Sequence, residues 1–113
     1  MNLANFRNIE GWECINAEVA GGSVSAGYTS DLLSDVMANA PDDSVLITVQ
    51  AHVNTIAVAA LANVRAIIIC HARRIPDDML AAARREGILL LRTKANQYDT
   101  TVKCDRLLTA KEV

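Results

Sequence analysis

The chain is poor in aromatic residues, and this scarcity limits both its core and its partners. Only one Trp, two Tyr and one Phe occur among its 113 residues, and they lie far apart. No platform for stacking the bases of a single-stranded nucleic acid is therefore predicted. The core must consist of Val, Ile, Leu and Ala, a composition typical of a sheet covered by helices.

Cysteine is also scarce, with Cys14, Cys70 and Cys104 widely spaced along the chain. Their odd number argues against a disulfide framework, and no Cys or His pair has the spacing of a zinc site. Free thiols are typical of a reducing compartment, and residues 1–16 lack the apolar segment of a secretory signal. We expect a cytoplasmic protein with no bound metal and no cofactor.

Positive charge is not in excess, because the net charge is −2 and the 11 Lys and Arg residues are scattered. Proteins that bind nucleic acid normally carry a basic stripe or a positive net charge. The longest apolar run, residues 56–62, is far shorter than the roughly 20 residues that span a membrane. The sequence thus predicts neither a nucleic-acid partner nor a membrane partner.

What the chain does contain is an alternation of β-branched runs with helical patterns. Strands are predicted at residues 23–28, 45–49, 66–70 and 88–91, and the segments between them are long enough for parallel, right-handed crossovers. We predict an α/β fold, a three-layer-like domain with a mostly parallel sheet of about four to five strands flanked by helices. The domain covers residues 22–108, with residues 1–21 as its N-terminal cover segment and residues 109–113 as a frayed tail.

One helical segment, residues 55–62, is apolar on every side. Such a helix is buried on more than one face, which favours either a place inside the domain or a place in an oligomer interface.

Polar residues follow each predicted strand, at the edge of the sheet where parallel α/β proteins bind ligands. Both histidines of the chain belong to this set. We therefore predict a binding site for a small anion or a nucleotide there. Its candidate residues are Thr29, Ser30, Asp31, Gln50, His52, Asn54, His71, Arg73, Thr93 and Lys94. The alternative is that these residues are ordinary loop residues, with Thr29, Ser30 and Asn54 capping helices.

Catalytic signatures are missing. The chain has no GxSxG, phosphate-binding loop or GxGxxG motif. His52 and His71 have no partner at metal-ligand spacing, and Cys70 ends an apolar strand, where a core thiol is expected. We predict that the protein is not an enzyme, and an acid/base role for His52 or His71 remains the alternative.

Residues 30–105 resemble the DRTGG domain. The likeness lies in SDLLSDVMANAPDDSVLITVQAHVNTIAVAALANVRAIIICHARRIPDD and in EGILLLRTKANQYDT. DRTGG domains occur as regulatory insertions in some phosphotransacetylases and in pyrophosphatases with paired CBS domains, and a similar fold begins HPr kinase/phosphorylase. The resemblance implies an α/β domain without enzymatic activity of its own, a tendency to form homodimers, and a regulatory or ligand-sensing role.

The sequence therefore favours a non-catalytic regulatory or ligand-sensing module that works as a homodimer. The alternative is a protein–protein interaction module, which would dimerise and serve a larger metabolic enzyme system through its surface.

Overall fold

The structure is a computed structural model that describes residues 1–19 and 21–110. It confirms the predicted alternation of strands and helices. The elements in chain order are α1 (Leu3–Phe6), β1 (Glu13–Cys14), β2 (Ala26–Thr29), α2 (Leu33–Asn39), β3 (Ser44–Thr48), α3 (Val53–Leu61), β4 (Val64–Ile69), α4 (Asp77–Glu86), β5 (Leu89–Arg92) and α5 (Gln97–Thr109).

The strands form one five-stranded sheet in the order β1-β5-β4-β3-β2. Strands β2 to β5 are parallel to their neighbours, and β1 is antiparallel to β5. The predicted mostly parallel α/β fold is therefore confirmed. The most apolar strand, β4, occupies the centre, where both of its edges and both of its faces are covered.

Successive crossovers run in one direction along the sheet, which places their helices on one face because such connections are right-handed. Helices α2, α3 and α4 cover that face, and α1 and α5 pack on the other. The domain therefore has three layers. Helix α3 packs between α2 and α4, which covers its two flanks, whereas Ala57 and Leu61 on its outer side are exposed.

Strand β4 illustrates why the inner strands are apolar throughout. Ile67 and Ile69 point into the cluster beneath α2 to α4, whereas Ala66 and Ile68 point into the cluster beneath α1 and α5. All four are fully buried. Burying an Ile side chain stabilises the fold by about 1.5–3 kcal/mol. In a strand buried on both faces, the side chains of each face contribute stabilisation of this kind.

The N-terminal segment packs across the second face of the sheet. Leu3, Phe6 and Trp12 are buried there, and the rings of Phe6 and Trp12 stack with their centroids 5.7 Å apart. The buried Asn16 side chain donates to Ile88 O and accepts from Leu90 N, so it continues the hydrogen bonding beside β5. This segment is therefore part of the same core.

Several helix ends follow from the sequence, and two differ from the prediction. Gly87, at a φ of +67°, ends α4 in the left-handed conformation that glycine adopts without strain. Helix α3 is capped by His52 instead of Asn54. Helix α5 continues through Thr109, one residue into the predicted frayed tail. Residues 111–113, the rest of that tail, lie outside the described residues.

No helix among the described residues is long and apolar enough to cross a membrane.

Candidate functional site

The loops that follow β2 to β5 meet at the carboxyl edge of the sheet, as parallel pairing requires. Most of the predicted site residues in these loops fall into two groups, and His52 and Asn54, at the start of α3, belong to neither. One group, around Asp31, is joined by hydrogen bonds and is called the Asp31 network below. The other borders an open cleft beside β5.

The Asp31 network ties three elements together. The Asp31 carboxylate accepts hydrogen bonds from Thr48 Oγ1 at 2.8 Å, from the Val49 N–H at 2.9 Å and from Gln97 Nε2 at 3.0 Å. Gln50 Nε2 donates to the Asp31 carbonyl at 3.0 Å. The loop after β2, the end of β3 and the first residue of α5 are thereby held in one arrangement.

The environment of Asp31 favours its charged form. Partial burial alone would raise the pKa of its carboxyl group. Hydrogen bonds from Val49, Thr48 and Gln97, together with the nearby Arg73 charge, outweigh burial and hold the pKa below its ordinary value. Asp31 is therefore a charged group whose Oδ1 holds three donors from two other elements, which indicates a positioning role, while Oδ2 accepts no hydrogen bond from a described residue.

The residues next to Asp31 also have partners within the protein. Thr29 and Thr101 share a hydrogen bond of 2.7 Å between their hydroxyls. Helix α2 begins after Leu32 without a side-chain cap, so the prediction that Thr29 or Ser30 caps this helix is wrong. Ser30 Oγ instead accepts from the Leu32 N–H at 3.2 Å, a short turn that competes with capping.

His52 and Asn54 meet at the start of α3. His52 Nδ1 accepts a hydrogen bond from the Asn54 N–H at 3.0 Å, so the imidazole satisfies one of the free donors of the helix. The prediction that Asn54 caps this helix is wrong, because Asn54 lies within its first turn. Its side chain is exposed at the same edge of the sheet.

A cleft of about 810 Å³ opens at the carboxyl end of β5. Two of the predicted residues, Thr93 and Lys94, belong to its lining. The complete lining is Gly11, Trp12, Glu13, Ala72, Arg92, Thr93, Lys94 and Ala95. One wall comes from the loop after β5, the opposite wall from the N-terminal segment, and Ala72 brings in the loop after β4.

The loops after β4 and β5 are joined by their backbones. The His71 N–H donates to Ala95 O at 3.0 Å, and the Ala72 N–H donates to Thr93 O at 2.7 Å. His71 and Ala72 have φ values of +60° and +50°, which cost non-glycine residues about 1–2 kcal/mol each. These bonds hold the strained turn in place, so one rim of the cleft is rigidly built.

Arg92 and Glu13 form an ion pair in the wall of the cleft. Arg92 Nη2 and Nε lie 2.8 and 2.9 Å from Glu13 Oε2. The two residues face each other because Glu13 of β1 pairs with Arg92 of β5 in the antiparallel register. Arg92 Nη1 also donates to Arg73 O at 3.4 Å, which links the loop after β4 to the same wall.

Three further cations at this edge have no such partner. The side chains of Arg73, Arg74 and Lys94 are exposed and form no ion pair or hydrogen bond with any described residue. All three lie in the two loops that border the cleft. By contrast, Arg65 pairs with Asp43 and Arg84 pairs with Glu18 at 2.8 and 2.5 Å, away from it. Among the described residues, three of the exposed cations without a partner therefore lie in the loops beside the cleft, whereas Arg85 and Arg106 lie elsewhere.

Sequence reasoning missed one wall of the cleft entirely. Gly11, Trp12 and Glu13 reach it through the pairing of β1 with β5, and a two-residue strand has no periodicity by which its pairing could be found. Gln97 was missed in the Asp31 network for a similar reason, because it begins helix α5, which packs across the sheet from β5 towards β2.

The three thiols are poorly suited to nucleophilic chemistry. Burial raises the pKa of Cys104 to about 11, and burial likewise raises the pKa of Cys70 and of Cys14. Within residues 1–19 and 21–110, no three His, Cys, Asp or Glu side chains come together as metal ligands would.

No protein-family model matches the chain, and no curated protein matches it.

Proposed function

We propose that this protein is a non-catalytic, DRTGG-like regulatory module of the cytoplasm, which senses a small anionic metabolite in the cleft beside β5. The observation that carries the proposal is the gathering of unpaired Arg73, Arg74 and Lys94 in the two loops that border this cleft. The resemblance of residues 30–105 to the DRTGG domain supports a regulatory role.

The chemistry of the cleft favours a ligand with both an anionic and an apolar part. Lys94 supplies an exposed positive charge, and Thr93 lies beside it in the lining. Trp12, Ala72 and Ala95 add apolar surface on the facing walls. Small-molecule sites typically combine apolar walls with a few polar groups that fix orientation. A nucleotide or an acyl phosphate has this combination.

The alternative function, a protein–protein interaction module of a larger metabolic enzyme system, predicts a cleft that stays empty. It would use the same rigid core and other parts of the surface, and homodimer formation is compatible with either function.

Thermal denaturation in the presence of candidate ligands tests the proposal. The protein is heated with AMP, ADP, ATP, acetyl phosphate or pyrophosphate at millimolar concentration. A ligand present at 100 times its dissociation constant stabilises the folded state by about 2.7 kcal/mol. For a chain of 113 residues this corresponds to a rise in Tm of roughly 10 °C. If none of the five compounds raises Tm, the proposal loses its main support.

Matched variants locate the binding. Lys94→Ala is expected to weaken the affinity of the stabilising compound at least tenfold, since a charge-assisted hydrogen bond contributes about 1.5–3 kcal/mol. Arg85→Ala is the control. Arg85 is an exposed cation in the last turn of α4, at the edge of the sheet opposite the cleft. Equal loss of affinity in both variants would indicate general charge attraction instead of a site in the cleft.

A further inference from the structure

The outer edge of β2 is an open strand edge. Ala26, Tyr28 and Ser30 direct their peptide groups towards β3, as the hydrogen bond from Ser30 N to Ile47 O shows. Because peptide groups alternate along a strand, those of Gly27 and Thr29 point away from the sheet. Both residues are exposed, and their outward backbone N–H and C=O groups form no hydrogen bond with any described residue.

This edge lacks the features by which proteins protect strand edges. Such edges normally carry a charged residue, a proline or a bulge that prevents pairing with another chain. No charged residue and no proline lies between Glu18 and Asp31. The other edge of the sheet is protected, because β1 has two residues and Glu13 within it is held by Arg92.

Protection of the β2 side ends before the strand begins. Met1 and Val24 exchange two backbone hydrogen bonds of 2.7 and 2.8 Å, so the N-terminal residues cover the stretch ahead of β2. From Ala26 to Thr29 this cover is gone. In the connection from β2 to β3, the apolar side chains of Leu32, just before α2, and of Met37 within α2 are exposed.

We propose that the β2 edge pairs with the β2 edge of a second copy of this chain, antiparallel, about a two-fold axis at Tyr28. The edge is self-complementary, because its two outward residues stand symmetrically on either side of Tyr28. In this register Gly27 of each copy faces Thr29 of the other, and every outward N–H meets an outward C=O. Four backbone hydrogen bonds form, and the two five-stranded sheets become one.

A second copy fits this edge better than a foreign strand does. In a closed two-fold dimer, the outward N–H and C=O groups of both copies are hydrogen-bonded to each other, and no β2 edge remains exposed. No like charges oppose each other across the axis, since the stretch from residue 19 to residue 30 is uncharged. The inference does not depend on the cleft, because an empty cleft leaves the β2 edge as it is.

Sedimentation equilibrium of the full chain tests the inference. Wild-type protein is expected to sediment at twice the 12.2 kDa of one chain. Thr29→Pro removes the outward N–H and leaves the ladder to β3 intact, so it is expected to weaken the dimer at least tenfold. Thr29→Val is the matched control, since it loses the hydroxyl bond to Thr101 but keeps the N–H, and it is expected to dimerise like wild type.

A crosslink tests the register itself and remains informative if Thr29→Pro fails to fold. Directly opposite residues of a non-hydrogen-bonded antiparallel pair lie about 4.5 Å apart at Cα, within the range that a disulfide spans. In a Cys14→Ser background, Tyr28→Cys is expected to form a covalent dimer on mild oxidation, whereas Ala81→Cys on the exposed face of α4 is not. Wild type that stays monomeric at high concentration, equal association of the two Thr29 variants, or crosslinking at Ala81 but not at Tyr28 would each overturn the inference.

Discussion

Replacement of Asp31 by alanine removes the acceptor that joins three elements at the carboxyl edge of the sheet. Three donors lose their partner at once: the buried Thr48 hydroxyl, the Val49 N–H and the Gln97 amide. A hydrogen bond to a charged group contributes about 1.5–3 kcal/mol when it is shielded from water. Asp31 is exposed, so water replaces part of each bond and screens the charge. We expect Asp31→Ala to lower the free energy of unfolding by about 2 kcal/mol in total.

The pH dependence of this effect follows from the ionisation of the Asp31 carboxyl group. The pKa of Asp31 is lower in the folded state than in the unfolded state. Its contribution is therefore fully present above the unfolded pKa of about 3.9 and is lost as the pH falls through the folded pKa. The difference in stability between wild type and Asp31→Ala should be constant near neutral pH and should narrow below about pH 4.

Urea denaturation followed by circular dichroism measures both effects. In a thermal melt at neutral pH, the expected loss for Asp31→Ala would appear as a fall in Tm of roughly 8 °C for a chain of 113 residues. Asp31→Asn keeps one carbonyl acceptor and should lose about half as much. Asp105→Ala is the control, an exposed carboxylate of α5 whose removal should change stability by less than about 0.5 kcal/mol. If Asp31→Ala is as stable as this control, or if the gap to wild type does not change with pH, the described role of the Asp31 network is wrong.

Two further predictions concern buried groups of the core. Asn16→Ala leaves Ile88 O and Leu90 N without their side-chain partner in a fully buried position, and it should cost about 2–4 kcal/mol in urea denaturation. Loss of less than about 1 kcal/mol would show that water replaces the side chain. A thiol reagent at pH 8 should modify the folded protein first at Cys14, because Cys104 is buried and its pKa is raised to about 11. If the Cys14→Ser protein is labelled as early as wild type, this order of modification is wrong.

Much of the fold could be predicted because it depends on local patterns. The apolar run of β4 implies burial on both faces, which only the centre of a covered sheet provides. Gly87 after a basic helix end and Asn96 before α5 are local capping signals, and both residues cap these helices in the structure. Such signals work because each acts through residues within one turn of the chain.

The candidate site could be predicted only in part, because its geometry depends on pairing between distant segments. The carboxyl edge was predictable, since parallel strands bring their following loops together. The division of its residues between the Asp31 network and the cleft beside β5 was not predictable. Asp31 meets Gln97 across 66 residues of chain, and Glu13 meets Arg92 across 79. These contacts follow from the path of α5 and from the register of β1, which residue types alone do not specify.

Titration of the isotopically labelled protein with the compound that raises Tm most tests the central proposal directly. Amide resonances are followed by NMR at each addition of ligand. A ligand in the cleft should give saturable shifts confined to residues 11–13, 71–74 and 92–96, with little change along the outer edge of β2. The Lys94→Ala protein should need at least tenfold more ligand for the same shifts, consistent with the loss of about 1.4 kcal/mol. Shifts that do not saturate, or that saturate in another part of the molecule, would contradict the assignment of a ligand-sensing site to this cleft.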